Sequence, residues 1–139
     1  MPNAQGDCVF PHPDVDVPNL AELKTLRVRN PHLLILLSVG GWSGSEFFSD
    51  VASVDSARRQ LSASCLALVQ KYGLDGLDID WKYPVTGGMP TDHKRESDKG
   101  KFVLLLKQMR GDSDALSQGR HLLLTIASTC YRNRQLGRD

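Results

Sequence analysis

Residues 75–82 read Asp75-Gly76-Leu77-Asp78-Ile79-Asp80-Trp81-Lys82, and their alternation decides the fold. Side chains two apart along a strand share a face. Asp78, Asp80 and Lys82 therefore point one way, while Leu77, Ile79 and Trp81 point the other. The apolar face is one for helices to cover, and Trp81 is expected in the core. The opposite face carries two carboxylates and an ammonium. Burying carboxylates is costly without partners or purpose, so this face is a candidate for chemistry rather than a plain solvated surface. Its charges converge on the C-terminal end of the strand, where parallel α/β folds build their active sites.

Moving outward, two more apolar runs flank this one. HLLILLSVGG (32–41) and HLLLTIAS (121–128) are apolar on both faces, as strands of a helix-covered parallel sheet are. Strands are expected near 33–38, 76–81 and 122–127. Between the first two, Leu61, Cys65, Leu68, Val69 and Tyr72 form one helical stripe over about 56–72. Ser53 or Asp55 is placed to cap its start and Gly73 to end it. A further helix near Asp98 to Arg110 carries Phe102, Leu105, Leu106 and Met109, with Gly111 expected to end it. Leu20, Leu23 and Leu26 mark a short helix from Asn19 that Pro31 closes. Helices alternating with strands in this order give a parallel sheet with right-handed crossovers. Residues 84–98, PVTGGMPTDHKRESD, form a polar loop long enough to be functional.

The ends are different in character. Residues 1–18 hold four prolines and no apolar period, so they read as an irregular segment. Residues 129–139 lose the pattern as well and read as an irregular tail foreign to the fold. The domain proper is expected over 19–128.

Composition narrows the function. Seventeen basic against sixteen acidic residues leave a net charge of +1, which gives no electrostatic basis for a nucleic-acid or anionic-membrane partner. No apolar run approaches the length of a membrane span, and residues 1–18 lack the pattern of a secretion signal. Cys8, Cys65 and Cys130 are too far apart to suggest a metal site, and neither a metal nor another cofactor is expected. Cys65 falls on an apolar helical face, where a free cysteine packs as a small hydrophobe.

Ser38-Val39-Gly40-Gly41-Trp42 followed by Asp75 through Lys82 and Tyr83-Pro84 resembles the paired signatures of family 18 glycoside hydrolases, SxGG on barrel strand three and DGxDxDxE on strand four. The resemblance covers about residues 19–128. It implies an α/β fold, a partial (β/α)8 TIM barrel comprising about strands three to five with their helices. It also implies a chitinase-like activity on β-1,4-linked N-acetylglucosamine polymers by substrate-assisted retaining hydrolysis, in which the sugar's own acetamido oxygen attacks the anomeric carbon. Chitin or a chitooligosaccharide is then the partner, and the parent protein an exported one.

By position, the resemblance gives Asp80 the task of orienting the acetamido group and Asp78 that of supporting Asp80. Ser38 would hydrogen-bond behind that pair. Gly40 and Gly41 allow a close backbone approach, although a tight strand exit needs glycines in any fold. Trp42 and Tyr83 are the candidates for sugar contact.

Two departures stand against this. The family's proton donor is the final glutamate of the second signature, and here that position is Lys82. A lysine begins near pKa 10.4, and adjacent carboxylates favour its charged form further, so Lys82 is expected to pair with Asp80 and impair the site. Secondly, a closed barrel needs roughly 250 residues, so three strands leave open sheet edges that invite self-association. A non-catalytic, lectin-like chitin-binding protein is the alternative that Lys82 fits. A metal-dependent hydrolase using Asp75, Asp78 and Asp80 is a weaker one, because Asp75 faces away and no histidine joins it.

Overall fold

The computed structural model describes residues 1–116 and 119–128. Among the described residues seven elements follow one another as α1 (Pro13–Arg29), β1 (Leu36–Gly40), α2 (Phe48–Ser53), α3 (Asp55–Tyr72), β2 (Gly76–Asp80), α4 (Asp98–Leu116) and β3 (Leu123–Ile126). The strands form one sheet in the order β1-β2-β3, with both pairings parallel. A parallel neighbour requires a crossover, and α3 and α4 supply the two crossovers.

These helices cover the apolar face of the sheet. Val39, Leu77 and Ile79 meet Leu61, Cys65 and Val69 of α3 and Leu105 and Met109 of α4 in one core. Trp81 belongs to it at 3% exposure, stacked on Phe48 at 5.3 Å between ring centroids and meeting Phe102 edge-on. Gly73 ends α3 in the left-handed conformation, φ 61° and ψ 42°, which a glycine adopts without a Cβ penalty.

Several boundaries differ from expectation, each for a local reason. The first helix begins at Pro13, within the stretch expected to be irregular. Pro13 occupies the start of the helix, where the missing N–H has no intrahelical partner to lose. Asp16 Oδ2 accepts from the His12 amide at 3.1 Å, and the helix continues through Pro18. Residues 1–10 are not formless either. Pro2 and Cys8 make an antiparallel bridge, and the turn between them lies along α3.

Neither Ser53 nor Asp55 caps α3, because both side chains are engaged elsewhere. Ser53 Oγ donates to Ser49 O at 2.7 Å, and Asp55 pairs with Arg58 and Arg59, leaving Val54 at the cap. Gly111 does not end α4. The pairs Gln108–Asp112 and Arg110–Asp114, one turn apart on either side of it, carry the helix to Leu116. The first strand lies at 36–40 rather than 33–38, in register with β2 through Gly40 and Asp80. The tail 129–139, with Cys130, lies outside the described residues.

Candidate active site on the C-terminal half of the sheet

Register places the polar residues in rows across the sheet. Ser38, Asp78 and Thr125 are aligned partners on the three strands. Ser38 Oγ donates to Asp78 Oδ2 at 2.9 Å and Thr125 Oγ1 donates to Asp78 Oδ1 at 2.7 Å. Each carboxylate oxygen of Asp78 thus has a hydroxyl donor from a neighbouring strand, which fixes its orientation.

Two residues further along, Gly40 is the partner of Asp80. A Cβ on Gly40 would lie 2.4 Å from Asp80 O and 2.8 Å from the Phe48 ring, and the residue has φ 114°. Glycine is required there on both counts. Gly41 has φ 87° with open space where a Cβ would stand, so its backbone conformation, not crowding, calls for glycine. Its amide donates to Asp80 O at 2.9 Å.

Lys82 Nζ donates to Asp80 Oδ1, the contact that a two-residue spacing on one strand face implies. Both side chains are partly exposed, 24% for Lys82 and 20% for Asp80. The hydrogen bond it donates to Asp80, reinforced by the charges of Asp80 and Asp78, holds the Lys82 ammonium above its ordinary pKa. The ammonium also lies 5.7 Å from the centre of the Tyr83 ring. Among the described residues, Asp80 Oδ2 has no protein hydrogen bond, so half of this carboxylate is open to an incoming donor.

Ser45 ties the site together from behind. It is fully buried; its hydroxyl accepts from the Lys82 amide at 2.9 Å and donates to Gly41 O at 2.8 Å. The loop after β1 is thereby joined to the end of β2. Trp42, on the same loop, stands 58% exposed.

The loop after β2 is anchored by Asp98, which is wholly buried at the start of α4. Asp98 accepts from Ser49 Oγ at 2.7 Å, the Arg95 amide at 2.8 Å and the Val85 amide at 3.3 Å. Arg95 in turn donates to Ser49 Oγ and Asp50, and His93 pairs with Asp50. Neither Ser45 nor Thr125 stands out by motif. The signal for Thr125 is present but faint, a lone hydroxyl inside an apolar strand, opposite Asp78. Asp98 and Ser45 act through loops, for which periodicity carries no information.

Asp75 belongs to a different end of the sheet. It pairs with Arg27 and Arg120 and accepts from the Ile35 amide at 2.6 Å. Two guanidinium groups already neutralise it, so it does not join Asp78 and Asp80 as a cation ligand. The inner face itself is only half-buried, since Asp78, Asp80 and Lys82 are all partly exposed and Ser38 is exposed.

A fixed carboxylate beside a half-engaged one is suited to receiving an N–H donor such as an amide, and the glycines leave room for backbone and ligand to approach. Comparison with known proteins gives the family. The family described as "Glycosyl hydrolases family 18" matches residues 2–138. Chitinase A1 of Niallia circulans is 43% identical over 112 residues, covering 79% of this chain and 16% of that protein. Chitotriosidase-1 of Mus musculus is 36% identical over 110 residues, covering 77% of this chain and 23% of that one. Among solved structures, the Ostrinia furnacalis Group IV chitinase in complex with allosamidin superposes with a TM-score of 0.78 at 36% identity, over 91% of this chain and 33% of that one. A chitinase from Rhizomucor miehei superposes at 0.77 with 29% identity, over 92% and 32%. The chain thus spans less than a quarter of the length of these two sequence relatives.

Proposed function

The chain belongs to glycosyl hydrolase family 18, and from that premise we propose that its three strands carry the acetamido-binding half of a chitinase-type site whose proton-donor position is filled by Lys82. The observation that carries this reading is the ordered row on β2: Asp78 fixed by Ser38 and Thr125, and Asp80 two residues on, held by Lys82 on one oxygen only. The substrate class is an oligomer of β-1,4-linked N-acetylglucosamine, and the parent protein is an exported one that meets such a polymer.

In substrate-assisted hydrolysis the 2-acetamido oxygen attacks the anomeric carbon as the glycosidic oxygen is protonated. Asp80 Oδ2 would accept the acetamido N–H, orienting the oxygen for attack and balancing the positive charge of the oxazolinium ion. Asp78 would fix Asp80 from below. Ser38, Gly40, Gly41, Trp42 and Tyr83 would shape the sugar's seat. Leaving-group departure needs a proton from a group with a pKa near the working pH. Lys82, raised above its ordinary lysine value by Asp80, holds its proton too tightly, and it occupies the Asp80 oxygen that would otherwise share the developing charge. Hydrolysis is therefore impaired in this chain.

The same ion pair favours the second reading, a lectin-like protein that binds chitooligosaccharides without cleaving them. An NMR titration tests the shared premise. N-acetylchitooligosaccharide should shift the amides of Gly41, Trp42 and Asp80, whereas a cello-oligosaccharide of equal length, lacking the acetamido group, should not. Equal shifts with both sugars, or shifts elsewhere only, refute the assignment of Asp80 to acetamido recognition.

A further inference from the structure

Outside the sugar site, two buried thiols lie together where the N-terminal segment meets α3. We propose that Cys8 and Cys65 form an intramolecular disulfide when the protein meets a small disulfide oxidant, stapling residues 1–10 to the helix.

The segment and the helix run in register over several turns. Gly6 lies against Ala57, a Cβ on it falling 3.6 Å from that side chain. Gln60 Nε2 donates to Asp7 Oδ1 at 2.6 Å, Ser64 Oγ accepts from the Cys8 amide at 2.8 Å, and Phe10 meets Tyr72 edge-on at 5.6 Å. Residues 6, 7, 8 and 10 thus pair with 57, 60, 64 and 72. Cys8 therefore sits over the turn that carries Cys65. Both are free thiols with 7% and 0% exposure.

Exposure divides the pair into an accessible, attacking thiol, Cys8, and a wholly buried, resolving thiol, Cys65. Cys8 also lines a cavity of about 680 Å³ beside the open edge of β1, which admits a small oxidant to a residue that is otherwise covered. The Cys8 thiolate attacks one sulfur of glutathione disulfide, forming a mixed disulfide and expelling one glutathione thiolate. Cys65 then loses its proton and attacks the Cys8 sulfur, forming the internal disulfide and expelling the second glutathione. Two thiols are oxidised and one disulfide is reduced to two thiols. An exported protein meets such oxidants, but the inference rests on the packing of residues 1–10 and holds whether or not the sugar site is active.

The test is to equilibrate the full chain with glutathione disulfide, quench free thiols with N-ethylmaleimide, and map the linked peptides by mass spectrometry. The expected product is a Cys8–Cys65 link with Cys130 alkylated. The link closes a long loop, so the thermal midpoint should rise by on the order of 5 to 10 °C and fall back on reduction. In Cys65→Ser the Cys8 glutathione adduct should accumulate, because nothing resolves it. In Cys8→Ser, Cys65 should stay unmodified in the folded protein. Links through Cys130 instead, a stable glutathione adduct on Cys8 in the unaltered chain, or a link that leaves the midpoint unchanged would each overturn the proposal.

Discussion

Replacing Asp98 by alanine should be among the most damaging single changes to the ordered loop beside the site. Asp98 has no exposure and accepts three hydrogen bonds, two of them short, at 2.7 and 2.8 Å, and one long, at 3.3 Å. Alanine leaves the buried Ser49 Oγ without its acceptor, costing about 1–3 kcal/mol, and the part-buried Arg95 and Val85 amides without theirs, each costing about 1 kcal/mol. The sum is about 3–5 kcal/mol, a large share of the roughly 5–15 kcal/mol that holds a domain together. Asparagine in place of the aspartate keeps the shape and one carbonyl oxygen, so Asp98→Asn should fall between the native chain and Asp98→Ala. Urea unfolding, followed by tryptophan fluorescence, measures the difference, and hydrogen exchange at Val85 and Arg95 locates it. A loss below about 1 kcal/mol for Asp98→Ala, or equal losses for alanine and asparagine, refutes the reasoning that Asp98 works by satisfying buried donors.

Two further outcomes follow from the same contacts. Ser45→Ala should cost about 1–3 kcal/mol by orphaning the Lys82 amide, and the amide of Lys82 should then exchange faster in an NMR exchange series. The Asp80–Lys82 pair should contribute about 1 kcal/mol or less, because both partners are partly exposed. Lys82 has its folded pKa raised above the ordinary 10.5, so this contribution is fully present below that value and lost only as pH rises through the folded one. The stability difference between the native chain and Lys82→Met should therefore be flat from neutral pH to about pH 9 and shrink only in strong alkali, as denaturation at a series of pH values would show.

Much of the site was legible because β-strand geometry is strict. A period of two puts Asp78, Asp80 and Lys82 on one face without any knowledge of the rest of the chain, and their ion pair follows from spacing alone. The core was legible for the same kind of reason, since the helical stripe from Leu61 to Tyr72 has one way to face the sheet. What escaped lay where no period operates. Ser45 and Asp98 act by bonding loop amides, and Thr125 matters only because register sets it opposite Asp78. The helix start at Pro13 was hidden because prolines read as breakers, although at a first helical position proline is at home. Gly111 misled in the opposite sense, its cost in a helix being about 1 kcal/mol, which side-chain pairs on either side offset.

Lys82 is proposed to stand in the position of a proton donor without serving as one. Product release from an N-acetylchitooligosaccharide tests it most directly. The assay compares the chain itself, its Lys82→Glu form, and both versions within a barrel completed by the remaining strands of a family 18 enzyme. No measurable release is expected from the chain and little from its Lys82→Glu form, since three strands supply only part of the sugar's contacts. In the completed barrel, glutamate should exceed lysine by about 10² to 10⁴ in rate. Turnover by the lysine form equal to that of the glutamate form would contradict it, since the proton would then come from somewhere other than residue 82.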